Sequence, residues 1–169
     1  MAAKISLRDY QRDLSARLTS AASGRVASKL AVQAGEAGWL LDLGEAGEVI
    51  PVPPITPVPL TQPWFKGIVN VRGNLYNVVD FGAFLGAAAV TINESSRLLL
   101  LAEGLLMKSA LLIDRSLGLR DPADLQLEAE GTIGSPWVRG QYTDKEGKRW
   151  KELDVRQLVQ HASFLSVAA

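Results

Sequence analysis

From Val26 onward, apolar and polar positions alternate with a period close to two, which predicts strands rather than helices. Residues 68–71 and 75–79 are short runs rich in β-branched and aromatic side chains. Between them Arg72-Gly73-Asn74 offers a glycine and an asparagine for the positive φ of a tight turn, so the stretch predicts a β-hairpin. Asp80 then precedes Phe81, Phe84 and Leu85, whose spacing suits one helical turn capped by an aspartate. Upstream, residues 29–33 and 39–43 predict two strands joined by a turn at 35–38, and residues 48–50 a shorter third one. Downstream, residues 97–102 and 105–113 predict a strongly apolar hairpin around Glu103-Gly104, buried on both faces or facing an interface. The first stretch departs from this pattern. Leu7, Tyr10, Leu14, Leu18 and Ala21 recur at helical spacing behind Ser6 and before Gly24, which predicts an amphipathic helix that packs on its own domain or serves a partner.

Other segments carry no period. Residues 51–59 hold five prolines and so form neither helix nor central strand. They read as a stiff connector to Trp64, or as a polyproline II ligand for a small recognition domain. Residues 87–89 and 93–96 read as linker. The polar, proline-interrupted stretch 114–130 is expected to be irregular or to hold one helical turn at 122–125, and residues 164–169 to be frayed.

The central unit is repeated near the C-terminus. Trp64 matches Trp137, Lys66 matches Arg139 and Gly67 matches Gly140 at one offset. After one inserted turn residue, Tyr76 matches Trp150, Val79 matches Leu153, Asp80 matches Asp154 and Phe84 matches Leu158. A Pro-Trp, a basic residue, a glycine, a turn, an aromatic and a capping aspartate in one order imply two related subdomains.

Composition narrows the function. With 169 residues, 47% hydrophobic and 21% charged, the chain can bury a core. Its 18 basic residues equal its 18 acidic ones, leaving no cationic excess for phosphates, so no nucleic acid partner is expected. No cysteine is present, which removes disulfides, thiolate metal sites and cysteine nucleophiles. The most apolar stretch, 98–107, contains Glu103 and falls short of the roughly 20 residues a spanning helix needs, so no membrane insertion is expected. The first residues lack an apolar signal region, and a cytoplasmic location is expected. The one histidine, His161, has no serine or carboxylate context and reads as a surface helix residue. Asp80 and Asp154, as equivalent positions in two copies, read as helix caps rather than as an acid/base pair. No catalytic residue, cofactor or metal is expected.

Gly67-Ile68-Val69-Asn70-Val71-Arg72-Gly73 followed by Val78-Val79-Asp80, with Ile55-Thr56-Pro57-Val58-Pro59 before it, resembles the signature of the CheW-like chemotaxis adaptors. The resemblance extends over about residues 28–159 and includes Trp39-Leu40-Leu41-Asp42-Leu43, Glu48-Val49 and Leu111-Leu112-Ile113-Asp114. Proline-rich connector and N-terminal helix together are most similar to the variant that serves type IV pilus, or twitching, systems. Three places depart from the pattern: Ala46-Gly47 before Glu48, Arg115-Ser116 after Asp114, and the second turn, Asp144-Lys145-Glu146-Gly147.

The resemblance implies a mainly β fold of two small five-stranded SH3-like barrels with an extra N-terminal helix. The expected divisions are an extension at 1–24 and barrels at 25–93 and 94–163, with terminal strands free to cross between them. It implies a non-catalytic adaptor that couples methyl-accepting chemoreceptor helices to the regulatory domain of a CheA-type histidine kinase, recruited to membrane-associated receptor arrays. It places partner binding on the first copy: Arg72, Val71, Asn70, Gly73, Asn74, Glu48 and Ile68. The alternative is a small-molecule-binding or enzymatic β-barrel protein that uses the crevice between the barrels.

Overall fold

The computed structural model describes residues 28–105, 107–130 and 134–169; the helix expected over residues 6–24 lies outside them. The protein is mainly β, as expected, and its strands form two sheets, of six and five strands where two five-stranded barrels were expected. The strands are β1 (Lys29–Ala34), β2 (Ala37–Asp42), β3 (Ala46–Pro51), β4 (Phe65–Val71), β5 (Asn74–Asp80), β6 (Arg97–Leu101), β7 (Ser109–Ile113), β8 (Arg115–Arg120), β9 (Leu125–Glu130), β10 (Val138–Asp144) and β11 (Arg149–Leu153). Short helices α1 (Phe81–Phe84), α2 (Val155–Gln160) and α3 (Ala162–Leu165) follow the two repeated hairpins. One sheet has six strands in the order β8-β1-β2-β11-β10-β9, and the other has five, β3-β6-β7-β5-β4.

In those orders each sheet draws strands from both sides of residue 93. Each sheet joins a repeated hairpin, β4–β5 or β10–β11, to an apolar hairpin from the other half, through the parallel pairs β5–β7 and β11–β2. The strand after each apolar hairpin also crosses over. β3 leaves β2 to pair with β6, and β8 leaves β7 to pair with β1. Neither sheet can therefore be built from one side of residue 93.

The repeat holds atom by atom. The Asp80 N–H donates to the Trp64 carbonyl at 2.8 Å, and the Asp154 N–H donates to that of Trp137 at 2.8 Å. Phe65 N–H bonds the Gln62 carbonyl as Val138 N–H bonds that of Ser135. Both hairpins bulge at the same place, between Phe65 and Gly67 and between Val138 and Gly140. Each aspartate caps its helix: Asp80 accepts from Ala83 N–H at 3.0 Å, and Asp154 from Gln157 N–H at 3.0 Å. Both tryptophans are half-buried.

Two segments expected to be irregular are ordered by the sheets. Residues 115–120 and 125–130 are strands joined by a 3-10 turn at Pro122–Asp124, because β1 and β10 each present a free edge to them. β9 covers β10 where the proline connector covers β4: Thr56 exchanges two 2.9 Å backbone bonds with Ile68. Prolines have no N–H to continue a ladder, which leaves one bridge there instead of a sixth strand. Gly67 makes that approach possible. It sits at φ 130, and a β-carbon on it would lie 2.0 Å from the Thr56 carbonyl oxygen.

The main core lies between the sheets and holds Trp39, Leu41, Val79, Phe81, Leu99, Leu111, Leu153 and Leu158. A smaller core under the other side of the five-stranded sheet holds Val69, Val71, Tyr76, Val78, Leu98 and Leu112. The C-terminal end is packed rather than frayed. Phe164 is buried against Trp64 and Phe84, and Val167 and Leu60 carbonyls accept from Gln62 and Ala169 N–H at 2.8 and 3.0 Å. His161 is likewise half-buried. Its ring packs on Trp137 at 4.9 Å, and its Nδ1 accepts from Ser163 N–H at the start of α3.

Candidate partner-binding surface

The β4–β5 hairpin closes in two residues, not three. Val71 pairs with Asn74, so Asn74 belongs to β5, and Arg72 and Gly73 are the central residues with φ 52 and 84. Two positive φ values make the type I′ turn that matches strand twist, and the Asn70 side chain braces it by accepting from Gly73 N–H at 2.8 Å. Arginine is unusual at such a φ, because its β-carbon crowds the backbone there. Gly73 is the residue the turn demands; Arg72 is the one it tolerates.

The strained arginine is held by Glu48. Arg72 Nη1 and Nη2 donate to Glu48 Oε2 and Oε1, each at 2.7 Å, in a two-pronged fork from the turn to β3. Both side chains remain open to water, 71% exposed for Arg72 and 44% for Glu48. The hydrogen bond from Arg72 holds the Glu48 carboxyl below its ordinary range, and the bond to Glu48 raises the guanidinium. Both stay charged across the physiological range. Lys108 Nζ donates to Asn74 Oδ1 at 2.6 Å beside the fork. Beneath these groups lies a pocket of about 210 Å³ whose lining includes Val71, Tyr76, Leu100 and Leu101.

Of the residues expected at this surface, Arg72, Gly73, Asn70, Asn74 and Glu48 meet at the turn, while Val71 points into the smaller core. Ile68 does not join them. It lies one bulk of the strand away, opposite Asn77, where its backbone holds Thr56. Leu75 was not singled out by the sequence. It pairs with Asn70, is 61% exposed, and adds an apolar contact beside the turn. The signal for it is present in the alternation, since it occupies an outward position of β5 that a polar residue would ordinarily fill. Gly47, one of the departures, has a structural cause: a β-carbon there would lie 2.9 Å from the Leu100 carbonyl oxygen.

The second hairpin places a different arrangement at the equivalent of Lys66 and Asp80. Arg139 reaches Asp42 at 2.6 Å, Asp154 at 3.1 Å and Glu45 at 3.2 Å, while Lys29 bonds both Asp42 and Glu152 at 2.7 Å. Tyr142 donates its hydroxyl to the other Glu152 oxygen at 2.8 Å. Burial pushes the Asp42 carboxyl up, but the bonds and charges of Lys29 and Arg139 outweigh it and hold the group low. Burial likewise opposes charge on Lys29, and its two carboxylates more than offset it, raising the ammonium. This network ties β1, β2, β10, β11 and the start of α2 together, a structural use of charge.

A separate groove of about 550 Å³ lies among the β1–β2 turn, the segment after α1 and the approach to β10. Ala34, Ala37, Trp39, Leu85, Ala88 and Val138 supply its apolar lining, with Glu36 and Lys151 at polar positions. Among the described residues, no group of three or more histidine, cysteine, aspartate or glutamate side chains is placed to hold a metal ion. No helix among them is long and apolar enough to cross a membrane.

Two interlocked sheets related by an internal repeat, with an exposed arginine–glutamate fork on the first hairpin, define the class of fold. The chain belongs to the CheW-like domain family, whose model matches residues 29–163. It is 30% identical over 168 residues to Protein PilI of Pseudomonas aeruginosa, a match that covers 92% of this chain and 93% of that protein. Its fold is similar to the crystal structure of the scaffolding protein TtCheW from Thermoanaerobacter tengcongensis. The TM-score is 0.66 at 21% identity, covering 80% of this chain and 94% of that one. The family is one of non-catalytic scaffolds, and this chain is a chemotaxis-type adaptor.

Proposed function

We propose that the protein couples a chemoreceptor to a CheA-type histidine kinase in a type IV pilus or chemotaxis signalling system. The observation that carries the reading is the Arg72–Glu48 fork: a strained, solvent-exposed arginine held in a fixed direction above a small pocket of mixed polar and apolar lining. A guanidinium displayed in this way can exchange its carboxylate for one on a partner, or bond free carbonyls at a helix end, at little cost in side-chain ordering. The kinase's regulatory domain, which shares the fold in this family, meets one sheet-bearing half pseudo-symmetrically. A receptor helix lays apolar side chains into the groove around Trp39, Leu85 and Val138. On this reading the protein works in the cytoplasm, gathered at receptor arrays.

The test is reconstitution with a purified kinase regulatory domain and a receptor cytoplasmic fragment. Binding to both at once, with kinase binding reduced by Arg72→Ala and receptor binding reduced by Ala88→Glu at an exposed position of the groove, supports the reading. Failure to bind either, together with a small molecule retained in the groove after purification, favours the ligand-binding alternative.

A further inference from the structure

The proline connector has a periodicity of its own. Pro51, Pro54, Pro57 and Leu60 are all exposed, while Val52 and Ile55, one place further on in each triplet, pack against the smaller core. Three residues per turn is the period of a polyproline II helix. Backbone chemistry accounts for it. Each proline fixes its own φ and pushes the residue before it toward extended conformations, so almost every position from Ile50 to Pro59 is restricted. With that period, one edge is docked on the protein through Val52 and Ile55 until it emerges at the exposed Val58, a second is a ridge of prolines that starts at the end of β3, and the third runs from half-buried Pro53 to exposed Thr56 and Pro59.

The ridge is held at its middle and at one end. The Thr56–Ile68 bridge over Gly67 pins its middle. At its end, Val58-Pro59-Leu60-Thr61 turns sharply, with the Thr61 hydroxyl donating to the Val58 carbonyl at 2.9 Å and Leu60 at φ 59. A leucine in that conformation is strained, and here it is 86% exposed, with its carbonyl gripped by the C-terminal Ala169 N–H. Such a residue neither fills a core nor eases a turn. It is displayed. In addition, no ionisable side chain occurs from Val49 to Phe65 in a chain that is 21% charged.

We propose that the ridge Pro51–Pro54–Pro57, ending on Leu60, is a preformed polyproline II ligand for an aromatic-lined groove on a partner protein. Aromatic grooves of this kind read a polyproline helix from one side, and a ridge of about 19 Å suits them. The absence of charge on the strip means that the groove needs no acidic specificity pocket. Because the helix is already ordered, the binding cost of fixing it is removed in advance. The surface is distinct from the Arg72 turn, and no described residue covers it.

The experiment places benzoylphenylalanine at Leu60 in the full chain, in its native cell, and maps photo-crosslinks by mass spectrometry. The expected result is an adduct to one protein at a peptide containing tryptophan or tyrosine. That protein, once purified, should bind the wild-type chain at least tenfold more tightly than Pro51→Ala/Pro54→Ala/Pro57→Ala, and should bind Arg72→Ala as it binds wild type. Leu60→Gly, which removes the knob and relieves the strain, should lose affinity while keeping the melting temperature. The proposal is overturned by crosslinks to residues 1–27 of the same chain, to a second copy or to lipid, by no adduct, or by undiminished affinity in the triple variant.

Discussion

A residue's worth to the fold and its worth to a partner separate most clearly at Arg72. Its turn needs two positive φ values, which glycine or asparagine would supply with less strain, and its guanidinium is spent on an exposed pair with Glu48. Arg72→Ala should leave the melting temperature within a few degrees but weaken kinase or receptor binding by at least about 30-fold, as at interface hot spots. Arg72→Lys should not rescue binding, since an ammonium cannot make the fork. A reciprocal Arg72→Glu/Glu48→Arg exchange should keep the pair and still fail to bind. Calorimetric titration reads all three, and binding in the exchanged variant would mean that the fork serves the fold alone. Gly67 is the opposite case. Gly67→Ala drives a β-carbon into the Thr56 carbonyl and should cost about 3 kcal/mol or more. Gly73→Ala, with open space around it, should cost only the left-handed penalty of about 1–2 kcal/mol. Thermal or urea unfolding of the two variants checks the contrast.

Among the elements, the two hairpins share a plan and differ in what their basic residue does. Lys66 Nζ lies 3.7 Å from the buried Asp80 carboxylate, which is already satisfied by Ala83 and Val90 N–H. Arg139 instead gathers carboxylates from β2, the turn after it, β11 and the α2 cap. The network gives stability a pH dependence of known sign. Asp42, with its folded pKa depressed, contributes above its unfolded value near 3.9, and that contribution is lost as pH falls through the folded value. Lys29, with its folded pKa raised, contributes below its unfolded value near 10.4 and loses that contribution as pH rises through the folded one. The melting temperature should therefore be flat between those limits and fall on both sides. Asp42→Asn should lower the plateau and flatten the acid limb. An acid limb unchanged in that variant would show that other carboxylates control it.

At the scale of the whole molecule, strand exchange makes the halves inseparable. Residues 28–93 alone would leave β3 without β6, β5 without β7 and β2 without β11, exposing the apolar edges and faces that those pairs cover. Residues 28–93 and 94–169 expressed separately should each give poorly dispersed amide spectra, and the joined chain should unfold in one cooperative transition. A well-dispersed spectrum from either half would show that its hairpins are self-sufficient.

Much of this architecture is legible in the residues themselves because it rests on local constraints. Alternation places Val69, Val71, Val78 and Val79 on strands. Asp80 and Asp154 announce the two helix starts, the matched Trp-x-basic-Gly units announce the repeat, and proline stereochemistry bars residues 51–59 from a ladder. What only the tertiary structure decided are the long-range choices among strands whose alternation looks alike. It sent β3 and β8 across to the opposite sheets and turned 115–120 and 125–130 into strands by offering them free edges. It drew Phe164 and the last residues onto Trp64 and Leu60, and it set Glu48 within reach of Arg72. Period and turn chemistry act between neighbours in the chain and so are written there. Which edge meets which is decided by apolar area and backbone hydrogen bonds between segments tens of residues apart, and no single segment carries that information.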